Sequence, residues 1–458
     1  MSTDTPEPRP LSRTRTIRTD YLARVEGEGA MYVELADGEV KDVRLRIYEP
    51  PRFFEALLRG RSYTEVADIT SRICGICPVA YQVSSLRAIE DACGVAVDDG
   101  PLRDLRRLIY CGEWIESHGL HIYLLHAPDF LGYPGFVEMA RDHPQVAERG
   151  LALKKIGNEL MTVVGGREVH PINLRVGGVY RAPTKGELRA LVEPLERALE
   201  MSLETVRWAA SLNFPEVDQD VELIALRDSD GRGPDRRDGE GPPDGPGLYP
   251  IDLGEIVSDR GIRIPPSGFD DTFVEEHVEH SNALHARVRE RGVYLTGPLA
   301  RFALSARALR PGAAAAAADA GLDGPSVNPF RSIVVRGVEL VQACEEALEL
   351  IRGYEPPDRP AIEVTPRRGV GHGISEAPRG ICYHRYEIDD DGTILDARIV
   401  PPTSQNQLAI EQDLRSVVAR YADLDDDQLR VRCEQAIRNH DPCISCATHF
   451  LDLTVKRS

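Results

Sequence analysis

Apolar and polar residues alternate through 21–47. Met31-Tyr-Val-Glu-Leu is followed by a turn at Asp37-Gly38 and then by Val43-Arg-Leu-Arg-Ile. A period of two buries one face of each strand, so this stretch predicts a β-hairpin. After Pro50-Pro51 the period changes. A helix begins over 53–58, and 79–92 has helical spacing that stops at Gly94, a residue suited to a left-handed cap. Residues 102–125 form a long amphipathic pattern, apolar at 102, 105, 108, 109, 115 and 122. The same spacing predicts helices over 146–163, 185–212, 274–291, 334–351, 407–420 and 425–440. Asp391-Gly392 before an alternating 394–400 predicts a second hairpin, closed by Pro401-Pro402. The predicted class is mainly α with small β elements (α+β): a long-helix bundle with an N-terminal β-hairpin region.

Punctuation sets the organisation. Residues 1–19 are rich in Pro, Thr and Arg and contain no apolar core of a signal peptide, so they read as a disordered leader. Residues 227–250 are a Gly/Pro/Asp/Arg tract, predicted as a flexible surface insertion. The alanine run within 310–324 predicts a short exposed helix with no assigned function. The chain has 458 residues, and length alone suggests about two or three domains. No clear boundary divides it, so 20–449 reads as a single domain. No apolar run approaches the ~20 residues of a membrane span. A net charge of −19 argues against nucleic-acid binding.

There are nine cysteines, an odd number, which argues against a disulfide framework and for a reducing compartment. Cys93, Cys111, Cys344, Cys382 and Cys433 are isolated. Four fall in two pairs near opposite ends, Cys74-Gly-Ile-Cys77 and, in a predicted loop close to the C-terminus, Cys443-Ile-Ser-Cys446. Cys77 precedes Pro78 at the start of a predicted helix, whose dipole favours a nearby thiolate. Four thiolates at one point would suit a soft or borderline metal. Zinc ribbons place their two knuckles about 15–20 residues apart, far closer than these. Spacing alone leaves open one shared metal site, two separate motifs, or coincidence.

The flanks carry more. Arg72-Ile-Cys-Gly-Ile-Cys-Pro and Asp441-Pro-Cys-Ile-Ser-Cys-Ala-Thr-His449 together resemble the large, catalytic subunit of [NiFe]-hydrogenases. The resemblance continues through Gly165-Gly-Arg-Glu-Val-His-Pro171, Gly297-Pro-Leu-Ala-Arg301, Glu376-Ala-Pro-Arg-Gly380 and Pro402-Thr-Ser-Gln-Asn406. It covers nearly everything from Tyr21 onward, and is nearest in wording to the cytoplasmic, nucleotide-linked branch, the bidirectional and sulfhydrogenase types.

The resemblance implies that fold, and reversible cleavage of H2 in the cytoplasm. It implies nickel on Cys74, Cys77, Cys443 and Cys446, with Cys77 and Cys446 also holding an iron that carries cyanide and carbon monoxide. Arg379 would stand over the open metal face, and Thr403 or Ser404 would hydrogen-bond a cyanide. A proton released at Cys446 would pass to Glu26. Glu55, the Ile399 carbonyl and His449 would hold magnesium. Residues 450–458 would be an extension removed by a maturation endopeptidase, leaving 20–449 as the catalytic domain. An iron–sulfur small subunit is implied as partner, with flavin- or NAD(P)-binding subunits beyond it. Two positions depart from the family pattern. Tyr81 stands where a histidine is frequent, and Ser117 where many relatives have an aspartate that pairs with the arginine. His118 and His121, on one helix face, would line the site or pack in the core. The rival readings are a zinc-stabilised interaction protein, or a metal-free homologue within a respiratory or redox complex.

Overall fold

The computed structural model describes residues 14–228, 248–326 and 328–448. The central core is helical. Pro78–Cys93 and Gly100–Leu120 lie at its heart, the latter packed along Pro144–Gly165 and against Ser332–Gly353, which also meets Val192–Ala210. Pro78 occupies the first turn of its helix, where a missing N–H costs nothing. Gly94 closes that helix at φ 68°.

Small antiparallel sheets brace the bundle. Thr14–Thr19, Gly29–Ala36 and Glu39–Ile47 form one, and Gly369–Ala377, Gly380–Ile388 and Ile394–Val400 another. The second lies on Pro78–Cys93. It approaches so closely that a Cβ at Gly371 or Gly373 would run into the backbone carbonyls of Ala88 and Ser84. Both predicted hairpins are therefore present, and most predicted helices match to within a few residues.

Five expectations fail, each for a physical reason. Thr14–Thr19, assigned to a disordered leader, is a strand with only Ile17 buried; its order comes from pairing with Gly29–Ala36. Residues 1–13 lie outside the described residues, as do 229–247 of the expected insertion. The 185–212 helix is two, Lys185–Arg189 and Val192–Ala210, because Pro194 has no N–H to continue the first. The expected 274–291 helix is a hairpin of Phe273–Val278 and Ser281–Val288. There Val274 and Val278, and Leu284 and Val288, are four apart and mimic a helical stripe. The alanine helix, Pro311–Asp319, is only partly exposed, with Ala313, Ala316 and Ala317 packed inward. The second cysteine pair lies on a single helical turn, Ile444–Ala447, and not in a loop.

A candidate metal centre

The fold carries both cysteine pairs to one point. The four sulfurs are buried and lie within 4.8 Å of one another. Cys74 Sγ is 3.0 Å from Cys77 Sγ and 3.5 Å from Cys443 Sγ. Cys74 ends a short helical turn, and Cys77 caps Pro78–Cys93. The Glu113 carboxylate, wholly buried, accepts from the Val79 and Ala80 N–H groups and so satisfies the start of that helix.

The C-terminal pair is held by backbone. Glu26 and Cys443 form a parallel bridge, and Ile444 N–H donates to the Glu26 carbonyl at 2.9 Å. Gly27, at φ +88°, permits this approach, since a Cβ there would lie 2.7 Å from Ile444 Cβ. Arg52 ties the two halves together: its guanidinium donates to the Ile73 and Ser445 carbonyls, and its N–H donates to Thr448. Nothing in the local sequence marks Arg52 for this role, or Glu113 for its own.

Charge is shared unevenly among the sulfurs. Burial pushes the Cys74 thiol up, but hydrogen bonds from the other three cysteines and the nearby Arg379 cation bring it well below its usual value. Cys443 and Cys446 are pushed up, burial first. Cys77 is pushed well up: a hydrogen bond with Cys443 lowers it, but its contacts with Cys446 and Cys74 outweigh that. Cys74, the thiol of the four that is pushed down, receives the Ile76 and Cys77 N–H groups. Four clustered sulfurs fit a soft or borderline metal.

Three of the expected residues meet this cluster. Glu26 Oε2 accepts from Cys443 Sγ at 3.1 Å and from Ser445 N–H at 3.0 Å. Its carboxyl is pushed up by burial and by the negative Cys74. The sulfur bonded to it is that of Cys443, and the Glu26–Cys443 backbone bridge sets this adjacency; the expected hand-over named Cys446. Arg379 is buried, with a charge strengthened by Asp441 and the thiols. It donates to the Asp441 carbonyl and, at 3.1 Å, to Asp441 Oδ1. Ser117 Oγ accepts a longer bond of 3.4 Å. The arginine thus keeps a carboxylate partner despite Ser117, and that partner, two residues before Cys443, was missed as a functional residue. Thr403 Oγ1 accepts from Cys443 N–H at 3.0 Å, whereas the Ser404 hydroxyl lies toward Glu275 and the Pro401 carbonyl.

Arg301 holds the arginine segment in place. It is fully buried, pairs with Glu339 at 2.7 Å and Glu376 at 3.0 Å, and donates to the Ala377 and Pro378 carbonyls. His118, buried, lies 2.9 Å from Glu339, and His121, also buried, meets the Arg438 carbonyl. Tyr81 is buried beside His384. Away from the sulfurs, buried Glu55 accepts from Ile399 N–H at 2.7 Å. His449, the third member expected there, lies outside the described residues.

Comparison with known proteins places the chain in a family. The nickel-dependent hydrogenase family model matches residues 52–148. Sulfhydrogenase 2 subunit alpha of Pyrococcus furiosus is 33% identical over 440 residues, covering 95% of this chain and 100% of that protein. The subunit beta of NAD-reducing hydrogenase HoxS of Cupriavidus necator is 28% identical over 96% of this chain and 95% of its own length. Among solved structures, an NAD+-reducing [NiFe]-hydrogenase in the H2-reduced state superposes with a TM-score of 0.82 at 24% identity, over 95% of this chain and 99% of that one. The Ni-Fe-Se hydrogenase of D. vulgaris Hildenborough gives 0.73 at 22%, over 95% and 100%. This chain belongs to the nickel-dependent hydrogenases, as a large subunit of that family.

Proposed function

We propose that the chain is the catalytic subunit of a cytoplasmic [NiFe]-hydrogenase that interconverts H2 with two protons and two electrons. The observation that carries this reading is the meeting of four buried cysteines from the two ends of the chain, with Glu26 and Arg379 against them. Cys74, Cys77, Cys443 and Cys446 would hold nickel, with Cys77 and Cys446 shared with an iron carrying cyanide and carbon monoxide. When bound, that pair supplies the polarisation that splits H2 heterolytically and the couple that takes its electrons.

The chain supplies the rest. Glu26 receives a proton from Cys443 Sγ at 3.1 Å, and its raised pKa suits a group that must both take and release it. Arg379, fixed by Asp441, presents a permanent cation to the thiol cluster, and Thr403 positions the Cys443 backbone. Buried Glu55, with the Ile399 carbonyl and His449, would hold magnesium, a hard cation suited to oxygen ligands. Residues 450–458 would be cut away by an endopeptidase once the metals are in.

Electrons must leave the subunit. Among the described residues, the cysteines outside the four form no further cluster. This supports an iron–sulfur small subunit as partner, and the NAD-reducing relatives support flavin or NAD(P) subunits beyond it. Among the described residues no helix is long and apolar enough to cross a membrane, and the nine cysteines, all buried, form no disulfide, which fits a reducing compartment. Elemental analysis with infrared spectroscopy of host-matured protein tests the proposal. Nickel and iron together, with bands from metal-bound CO and CN⁻, are expected; zinc alone, without those bands, refutes it.

A further inference from the structure

The 273–288 hairpin carries chemistry that hydrogen cleavage does not use. His280 sits in its turn, and His285 lies on its second strand. In a regular strand, residues five apart face opposite sides. Here the pairing slips between Ser281 and His285, and such a bulge re-aims side chains. The two imidazoles end with ring centroids 5.4 Å apart. Glu411, on Pro402–Arg420, completes the group, with its Oε1 2.8 Å from His280 Nε2. One nitrogen from each histidine and the carboxylate oxygen lie within 4.8 Å of one another.

His285 points to a ligand. It is 2% exposed, yet both ring nitrogens are without a hydrogen-bond partner. Leaving such groups unsatisfied costs about 1–3 kcal/mol, so a buried orphan of this kind demands an explanation. Packing alone would place an apolar side chain there.

We propose that His280, His285 and Glu411 form a second metal site, for a divalent transition ion of the zinc class. Two imidazoles and a carboxylate suit zinc or ferrous iron far better than magnesium. A tetrahedral zinc has bonds of about 2.0–2.1 Å and spaces its ligand atoms by about 3.3 Å, a distance small side-chain rotations reach from this arrangement. Glu411 Oε1 already receives Leu45 N–H at 2.9 Å, which orients the carboxylate as an outer-sphere hydrogen bond does. The ion would pin the hairpin to Pro402–Arg420. That helix carries Thr403 in its first turn, and the hairpin's Glu275 bonds Ser404 at 3.2 Å. The site is therefore a clamp on the support of the cysteine cluster.

The test uses the matured hetero-oligomer, treated with a mild chelator, then titrated with zinc chloride and measured for metal content and zinc X-ray absorption. One zinc per large subunit beyond nickel and iron is expected, with imidazole and oxygen scatterers at about 2.0 Å. H285Q and E411Q should each weaken zinc binding at least tenfold with nickel and iron contents unchanged. H280Q, at the more accessible position, should do the same if H285Q does not fold. Zinc binding equal to wild type in the variants, no zinc bound by wild type, or zinc surrounded by sulfur at about 2.3 Å would overturn the proposal. None of these results depends on the chain being active as a hydrogenase.

Discussion

Glu26→Gln isolates proton transfer from structure. The carboxylate makes two contacts that decide the outcome, one with Cys443 Sγ at 3.1 Å and one with Ser445 N–H at 3.0 Å. A glutamine fills the same volume, and its amide oxygen can still accept from Ser445. Loss of one ordinary hydrogen bond costs about 0.5–1.5 kcal/mol, too little to unfold a core of this size. Glutamine cannot take a proton. A positioned general base contributes about 10²–10⁴ in rate, which is about 3–5 kcal/mol of barrier. H2/D⁺ exchange in matured protein should therefore fall at least about a hundredfold while nickel and iron contents hold. Glu26→Asp withdraws the carboxylate by about 1.5 Å, beyond hydrogen-bonding reach of the sulfur, and should fall nearly as far. Exchange within a few-fold of wild type in fully metallated Glu26→Gln would refute the relay. Loss of metal with loss of exchange would make Glu26 a structural support instead.

Arg301→Met leaves Glu339 and Glu376, both fully buried, without their shared cation. Stranding a buried charge costs about 3–5 kcal/mol, so chemical denaturation should show a loss of that order, and nickel uptake should fall as the Arg379 segment loosens. Gly27→Ala forces a side chain to 2.7 Å from Ile444 Cβ at φ +88°; a stability loss of about 1–3 kcal/mol and reduced nickel occupancy are expected. Burial lowers the pKa of His118 to about 4 and of His126 to about 3, against 6.5 unfolded. A depressed histidine gives stability that is complete above the unfolded value and drains away as pH falls toward the folded one. Unfolding free energy should therefore drop between about pH 6.5 and 4, by up to about 3 kcal/mol per histidine, with proton uptake measurable by calorimetry. A flat profile there would mean these rings ionise in place. Mass spectrometry of active subunit should find a chain ending at His449; an intact Ser458 would rule out processing.

Much of the site was legible because its ligands come in short runs. Cys-x-x-Cys fixes two sulfurs within one turn, and the flanking Arg, Pro and His residues mark the pairs as unlike zinc knuckles. The helices were legible wherever a long apolar stripe had no competitor. The hairpin at 273–288 was not, because a bulge breaks its alternation, leaving adjacent His285 and Ala286 both buried while valines four apart imitate a helix. Thr14–Thr19 was hidden for another reason: a mostly polar strand is ordered by its neighbour and not by its own pattern.

What escaped at the centre follows one rule. Arg52 reaches Ser445 across a separation of 393 residues, and Glu26 reaches Cys443 across 417. Such contacts are set by backbone placement, which residue spacing does not encode. The cysteine set could therefore be read before folding, but not which of its sulfurs faces Glu26. Position within the motif pointed to Cys446. The parallel bridge from Glu26 to Cys443, opened by the single missing Cβ at Gly27, selects Cys443. In the proposed relay, which thiol passes its proton to Glu26 would thus depend on a backbone pairing as much as on the acidity of either thiol. A substitution that moves the bridge by one residue would redirect the proton without touching a single metal ligand.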